Sequence, residues 1–94
     1  MSKKNIATVT FNGVDFEVNT AAINSFKIQK AIACAQTRPD KAFDAMDTIC
    51  CGKSDEYMER MPDVEGEDVA EFGCSGETFG AFIAAAMEKY AAKN

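Results

Sequence analysis

Apolar and polar residues alternate strictly near the start of the chain: Ala7, Val9 and Phe11 interleave with Thr8 and Thr10, and Val14, Phe16 and Val18 with Asp15 and Glu17. A period of two marks half-buried strands. Only Asn12-Gly13 separates the two runs, and this is the preferred pair for a type I′ turn because both positions take positive φ. The pattern predicts a β-hairpin over about 6–18. In that register Phe11 faces Val14, Val9 faces Phe16 and Ala7 faces Val18, while Thr8, Thr10, Asp15 and Glu17 share the wet face. A lone two-stranded hairpin is marginal in water, so its apolar face must lie on helices, or its free edges must gain strands from another chain.

After Val18 the period becomes helical. Asn19 or Thr20 can cap a helix over about 20–36, with Ile28, Ala31, Ile32 and Ala35 on one side and Ile23, Phe26 and Cys34 on another. Apolar residues on two sides imply a central helix between the hairpin and the C-terminal helices, or one half buried in a subunit interface. Pro39 suits the first position of a second helix, about 39–51, whose face carries Ala42, Phe43, Met46, Ile49 and Cys50 and which Gly52 would end as C-cap. A short helix over about 55–61 follows, capped by Ser54, carrying Tyr57, Met58 and Met61, and stopped by Pro62. A loop or brief helix then runs through Val69 and Phe72 to Gly73. The last helix, about 76–92, starts at the cap Ser75 and repeats Phe79, Phe82, Ile83, Ala86, Met87 and Tyr90 at helical spacing. Gly76, Gly80 and Ala84 form a second, small-residue strip on it. The expected class is α+β and mainly helical: an N-terminal β-hairpin followed by three to four α-helices.

Composition bounds this picture. With 94 residues, 47% hydrophobic and 27% charged, the chain can build one modest core, so 1–94 is read as a single domain. A net charge of −5 opposes phosphate backbones and anionic lipid, so neither nucleic acid nor membrane is expected as a partner. The charge is uneven: residues 1–47 balance at +1 and residues 48–94 at −6, with eight acids between Asp55 and Glu71 against Arg60 alone. That stretch reads as a solvated connection, or more sharply as a docking surface for a basic segment. No export signal and no long apolar run is evident, which points to the cytoplasm and to reduced thiols.

Candidate chemistry is sparse. The chain has no histidine, which removes Ser-His-Asp and Cys-His arrangements within one copy. Cys34, Cys50, Cys51 and Cys74 are spaced by 16, 1 and 23 positions, unlike the paired ligands of a zinc site. On a helix the adjacent Cys50 and Cys51 point about 100° apart, so the first joins the buried stripe and the second does not. The acidic run from Asp63 to Asp68 places its glycine where no calcium loop needs it. No catalytic residue, metal site or cofactor is expected, so an interaction protein remains.

The order of a TVTFNGVDFEV hairpin (8–18), a helix, a second helix ending at glycine, an acidic link and a C-terminal amphipathic helix resembles the tail assembly chaperones of long-tailed bacteriophages of Gram-positive hosts, from about Ile6 to Tyr90. The resemblance implies a non-enzymatic protein that oligomerises, coats the tape measure protein during tail morphogenesis, recruits tail tube protein, and works in the host cytoplasm without entering the mature virion. It also implies a longer frameshifted product. Ala92-Lys93-Asn94 is compatible with the codons of a slippery run. Phe79, Phe82, Ile83 and Met87 are the candidate partner-binding residues, since aromatics and methionine repack easily, with the chain's own core as their competing role. The alternative function is a small cytosolic adaptor or regulatory module of phage or mobile-element origin.

Overall fold

A computed structural model describes residues 5–61 and 74–91. The acidic link from Asp63 to Glu71, the stop at Pro62 and the end of the last helix beyond Ala91 lie outside the described residues. The architecture is α+β: strands β1 (Ile6–Phe11) and β2 (Val14–Asn19) form an antiparallel pair, followed by helices α1 (Thr20–Ile23), α2 (Phe26–Ala33), α3 (Pro39–Ile49), α4 (Ser54–Arg60) and α5 (Gly76–Tyr90).

The hairpin register is the expected one, with Phe11 opposite Val14, Val9 opposite Phe16 and Ala7 opposite Val18. Asn12 and Gly13 take φ of 52° and 82°, the two positive values of a type I′ turn. The apolar face sits on α5, and Phe82 stands at its centre: its ring lies 5.1 Å from Phe16, 5.6 Å from Phe11, 6.1 Å from Phe79 and 6.2 Å from Tyr57. Three of these contacts are edge-on, an arrangement worth about 0.5–1.5 kcal/mol per pair beyond area burial. Ile23, Ile49, Cys50 and Met61 close the same core.

The strand edges are largely occupied. Antiparallel alternation points the carbonyls of Asp15 and Glu17 outward from β2, and that of Thr8 outward from β1. Arg60 Nη2 donates to the Asp15 carbonyl at 3.0 Å, and the Tyr57 hydroxyl to that of Glu17 at 2.7 Å. The Arg60 guanidinium also lies over the Phe16 ring at 4.8 Å. On the other side the Tyr90 hydroxyl donates to the Thr8 carbonyl. Helix side chains thus engage three of the carbonyls that a free hairpin would offer.

Three expectations about the helices are corrected. The stretch 20–36 is not one helix: it breaks at Asn24-Ser25, where Ser25 Oγ accepts from Ile28 N and starts α2 afresh, as Asn19 Oδ1 accepts from Ala22 N to start α1. As a result α1, with Ala22 and Ile23 buried, takes the central position, and α2 is peripheral, with no fully buried residue. It packs chiefly on α3, where Ala42 and Ala45 are small enough to let it approach. Second, α3 turns Ala42, Ala45 and Ile49 inward and Phe43 outward, because Phe43 lies at the margin of the buried arc. Third, the end of α3 is a Schellman motif in which Gly52 N donates to the Asp47 carbonyl at 2.8 Å and Cys51 N to that of Thr48 at 3.1 Å. The left-handed C′ position is held by Cys51, at φ 60°, and Gly52 follows at 77°. Helix α4 begins without a cap of its own: Asp47 Oδ1 accepts from Ser54 N at 3.0 Å and Ser54 Oγ at 2.5 Å. Ser75 caps α5 as expected, accepting from Thr78 N at 3.1 Å.

Candidate functional site

Phe79, Phe82 and Ile83 are buried against the hairpin and against each other, and Met87 is half buried at the edge of the same cluster. The stripe is therefore the chain's own core. It offers a groove to a partner only if α5 leaves the hairpin. The small-residue strip behaves differently: Gly76, Gly80 and Ala84 face outward, and a Cβ placed on either glycine would meet open space.

The cysteine pair divides as its helical positions require. Cys50 is fully buried, and burial, with Asp47 and Cys51 nearby, pushes its thiol up to about 12. Cys51 is half exposed. Burial and the Glu17 carboxylate raise its pKa too, and Lys53 opposes them. Raised values leave both sulfurs as thiols near neutral pH, the unreactive form. Among the described residues no group of three or more Cys, Asp or Glu is placed to hold a metal ion, and no helix is long and apolar enough to cross a membrane.

The accessible features lie on the α2–α3 layer. Phe26 is 78% exposed and Phe43 66% exposed, the large apolar side chains left in water among the described residues. Between the two helices runs a groove of about 480 Å³, walled by Lys27 and Lys30 from α2 and by Arg38 and Lys41 ahead of and within α3. Its floor is apolar, with Ile28, Ala31 and Ala45. Asp44 is the acid in its lining, and Arg38 Nε lies 3.7 Å from Asp40. A cationic groove in a chain of charge −5 is an uneven placement of charge that bulk composition hides. The signal was present: Lys27 and Lys30 are three apart, as are Arg38 and Lys41, so each pair shares a helix face. The near-neutral balance of residues 1–47 concealed it, because two of that half's acids, Asp15 and Glu17, sit on the hairpin.

On the other side of α3, Phe43 stands beside Asp44, Asp47, Asp55 and Glu56, with Lys53 as the cation in that lining. The Asp47 carboxylate is engaged by Ser54, and Asp55 and Glu56 are exposed on the first turn of α4. On the second surface the Ser54 hydroxyl donates to the Asp47 carboxylate, which also accepts from Ser54 N and so tethers the start of α4. Each surface combines an apolar patch with one sign of charge, which is the composition of a contact surface.

No family model, no curated protein and no solved structure matches this chain.

Proposed function

We propose that this protein is a non-enzymatic tail assembly chaperone of phage type, which oligomerises and coats the tape measure protein in the host cytoplasm, meets the tail tube protein there, and is absent from the finished virion. One observation carries the reading: the core closes over Phe82 while Phe26 and Phe43 remain in water on the peripheral α2–α3 layer. Side chains of that size, isolated from the core and rimmed by charge, suit a surface that covers apolar stretches of a long partner. The hairpin and helix order that resembles these chaperones supports the same reading.

The test is co-expression with the long helical protein that this reading expects to be encoded beside the gene. The chaperone reading requires that protein to stay soluble with the wild-type chain and to aggregate when Phe26 and Phe43 are both changed to serine. If the neighbouring genes encode no tail tube or tape measure protein, and the chain instead binds a single host protein at one-to-one stoichiometry, it is an adaptor and the chaperone reading fails.

A further inference from the structure

The two surfaces that flank α3, which meet at Asp44, are opposite in charge. In the α2–α3 groove, Lys27, Lys30, Arg38 and Lys41 outweigh Asp44. Beside α4, Asp44, Asp47, Asp55 and Glu56 outweigh Lys53. The first has an apolar floor, and the second, a shallow depression of about 460 Å³, carries the exposed ring of Phe43 on its border. Phe43 follows Lys41 by two positions, about 200° around the helix axis, so the side chain and the groove point in different directions and cannot meet within one copy.

We propose that the α3–α4 surface of one copy docks in the α2–α3 groove of a second copy, with Phe43 entering over Ala31 and Ala45 and the carboxylates of Asp55 and Glu56 meeting the groove's cations. A second copy is the occupant because the chain itself carries both halves of the match in sign of charge, with an exposed aromatic ring on one surface and an apolar floor in the other. The docked surfaces differ, so the contact is head-to-tail. Each copy added leaves one groove and one Phe43 surface unfilled, and assembly continues until a ring closes or a filament extends. The inference rests on the self-association in the function proposed above and does not depend on the tape measure protein as partner; it assigns Phe43 to the contact between copies and leaves Phe26 as the exposed ring for a long partner.

Sedimentation velocity on the full chain tests it, at about 0.1 M and about 1 M salt, between which the screening length falls from about 10 to about 3 Å. Oligomers at the lower salt should weaken by about tenfold or more at the higher, as expected for contacts steered by exposed charge. Lys30→Glu with Lys41→Glu, and separately Asp55→Lys with Glu56→Lys, should each give monomers. Mixing the two variants one-to-one should restore oligomers, because the exchanged charges again oppose. Phe43→Ser, at an exposed position, should weaken association while leaving the circular dichroism spectrum and thermal midpoint unchanged. A chain that is strictly monomeric at low salt overturns the inference and removes self-association from the proposed function as well. Oligomers that persist through both charge reversals overturn the inference alone and leave self-association to another face.

Discussion

The Tyr90 hydroxyl donates to the Thr8 carbonyl at 2.5 Å, joining the last turn of α5 to the outer edge of β1 across 82 positions of sequence. The Asn24 amide reinforces the same corner, donating to the Tyr90 carbonyl at 3.1 Å. Removing the hydroxyl by Tyr90→Phe keeps the ring and frees one strand carbonyl to water. It should lower unfolding free energy by about 1 kcal/mol, the net value of one ordinary hydrogen bond, measured as a shift in urea midpoint without a change in slope.

Cys51 holds a left-handed conformation that glycine adopts without a Cβ clash, and its side chain makes a long contact, Sγ to the Glu17 carbonyl at 3.9 Å. Cys51→Gly should therefore raise stability by about 1 kcal/mol, toward the cost of one left-handed non-glycine residue. Gly52→Ala, at φ 77°, should lower it by a similar amount. Chemical denaturation of the two variants against wild type gives both signs in one experiment.

Phe82 and Phe43 are both phenylalanines on amphipathic helices and should respond in opposite ways to truncation. Phe82→Ala removes the ring that four other aromatics touch and should cost about 3–5 kcal/mol. Phe43→Ser should change stability by no more than about 0.5 kcal/mol, since the side chain is already in water. Thermal unfolding of both variants separates a core role from a surface role.

Burial pushes two acids of the core upward in the folded state, Cys50 from 9.0 to about 12 and Tyr57 from 10.0 to about 12. Each keeps its proton more tightly when folded than when unfolded. Their stabilising contribution is complete below about pH 9 and is lost as pH rises from 9 toward 12. Urea midpoints should therefore fall between pH 9 and 11, and Cys50→Ala should flatten that decline while lowering stability at pH 7. The same burial should make Cys50 react far more slowly with iodoacetamide in the folded chain than in urea.

The hairpin was fully legible because its information is local: strict alternation fixes the faces, and Asn12-Gly13 fixes the register. The break between α1 and α2 was not. Asn19 and Ser25 are both good caps, and helical periodicity runs through the interval without choosing between one helix and two. What settles it is tertiary, since Asn24 reaches Tyr90, and Gln29 Nε2 donates to the Ile23 carbonyl at 3.0 Å, an acceptor left open by the break. Cys51 was misread for the opposite reason: the rule that glycine ends helices is sound, but here glycine comes one position late. The apolar stripe of α5 was visible in full, yet periodicity shows that a face is buried and not against what. Periodicity puts Phe43 on the inner face of its helix, and the spacing of Lys27, Lys30, Arg38 and Lys41 does not say that the two pairs meet; only the seating of α2 on α3 brings them to one groove.

The central place of Phe82 also sets an order of events. Val9, Phe16 and Val18 leave the ribosome well before Phe82 and Ile83 exist, and although Tyr57 and Arg60 reach Phe16 earlier, the hairpin's apolar face is not closed until α5 arrives. Local pairing around Asn12-Gly13 can form early, but the core has to await its latest-made helix. During synthesis the chain therefore carries an exposed, β-rich apolar surface whose protection is encoded some sixty residues downstream. Slow translation between the two would lengthen that exposure, whereas α2 and α3, adjacent in sequence, can pack as soon as both have emerged.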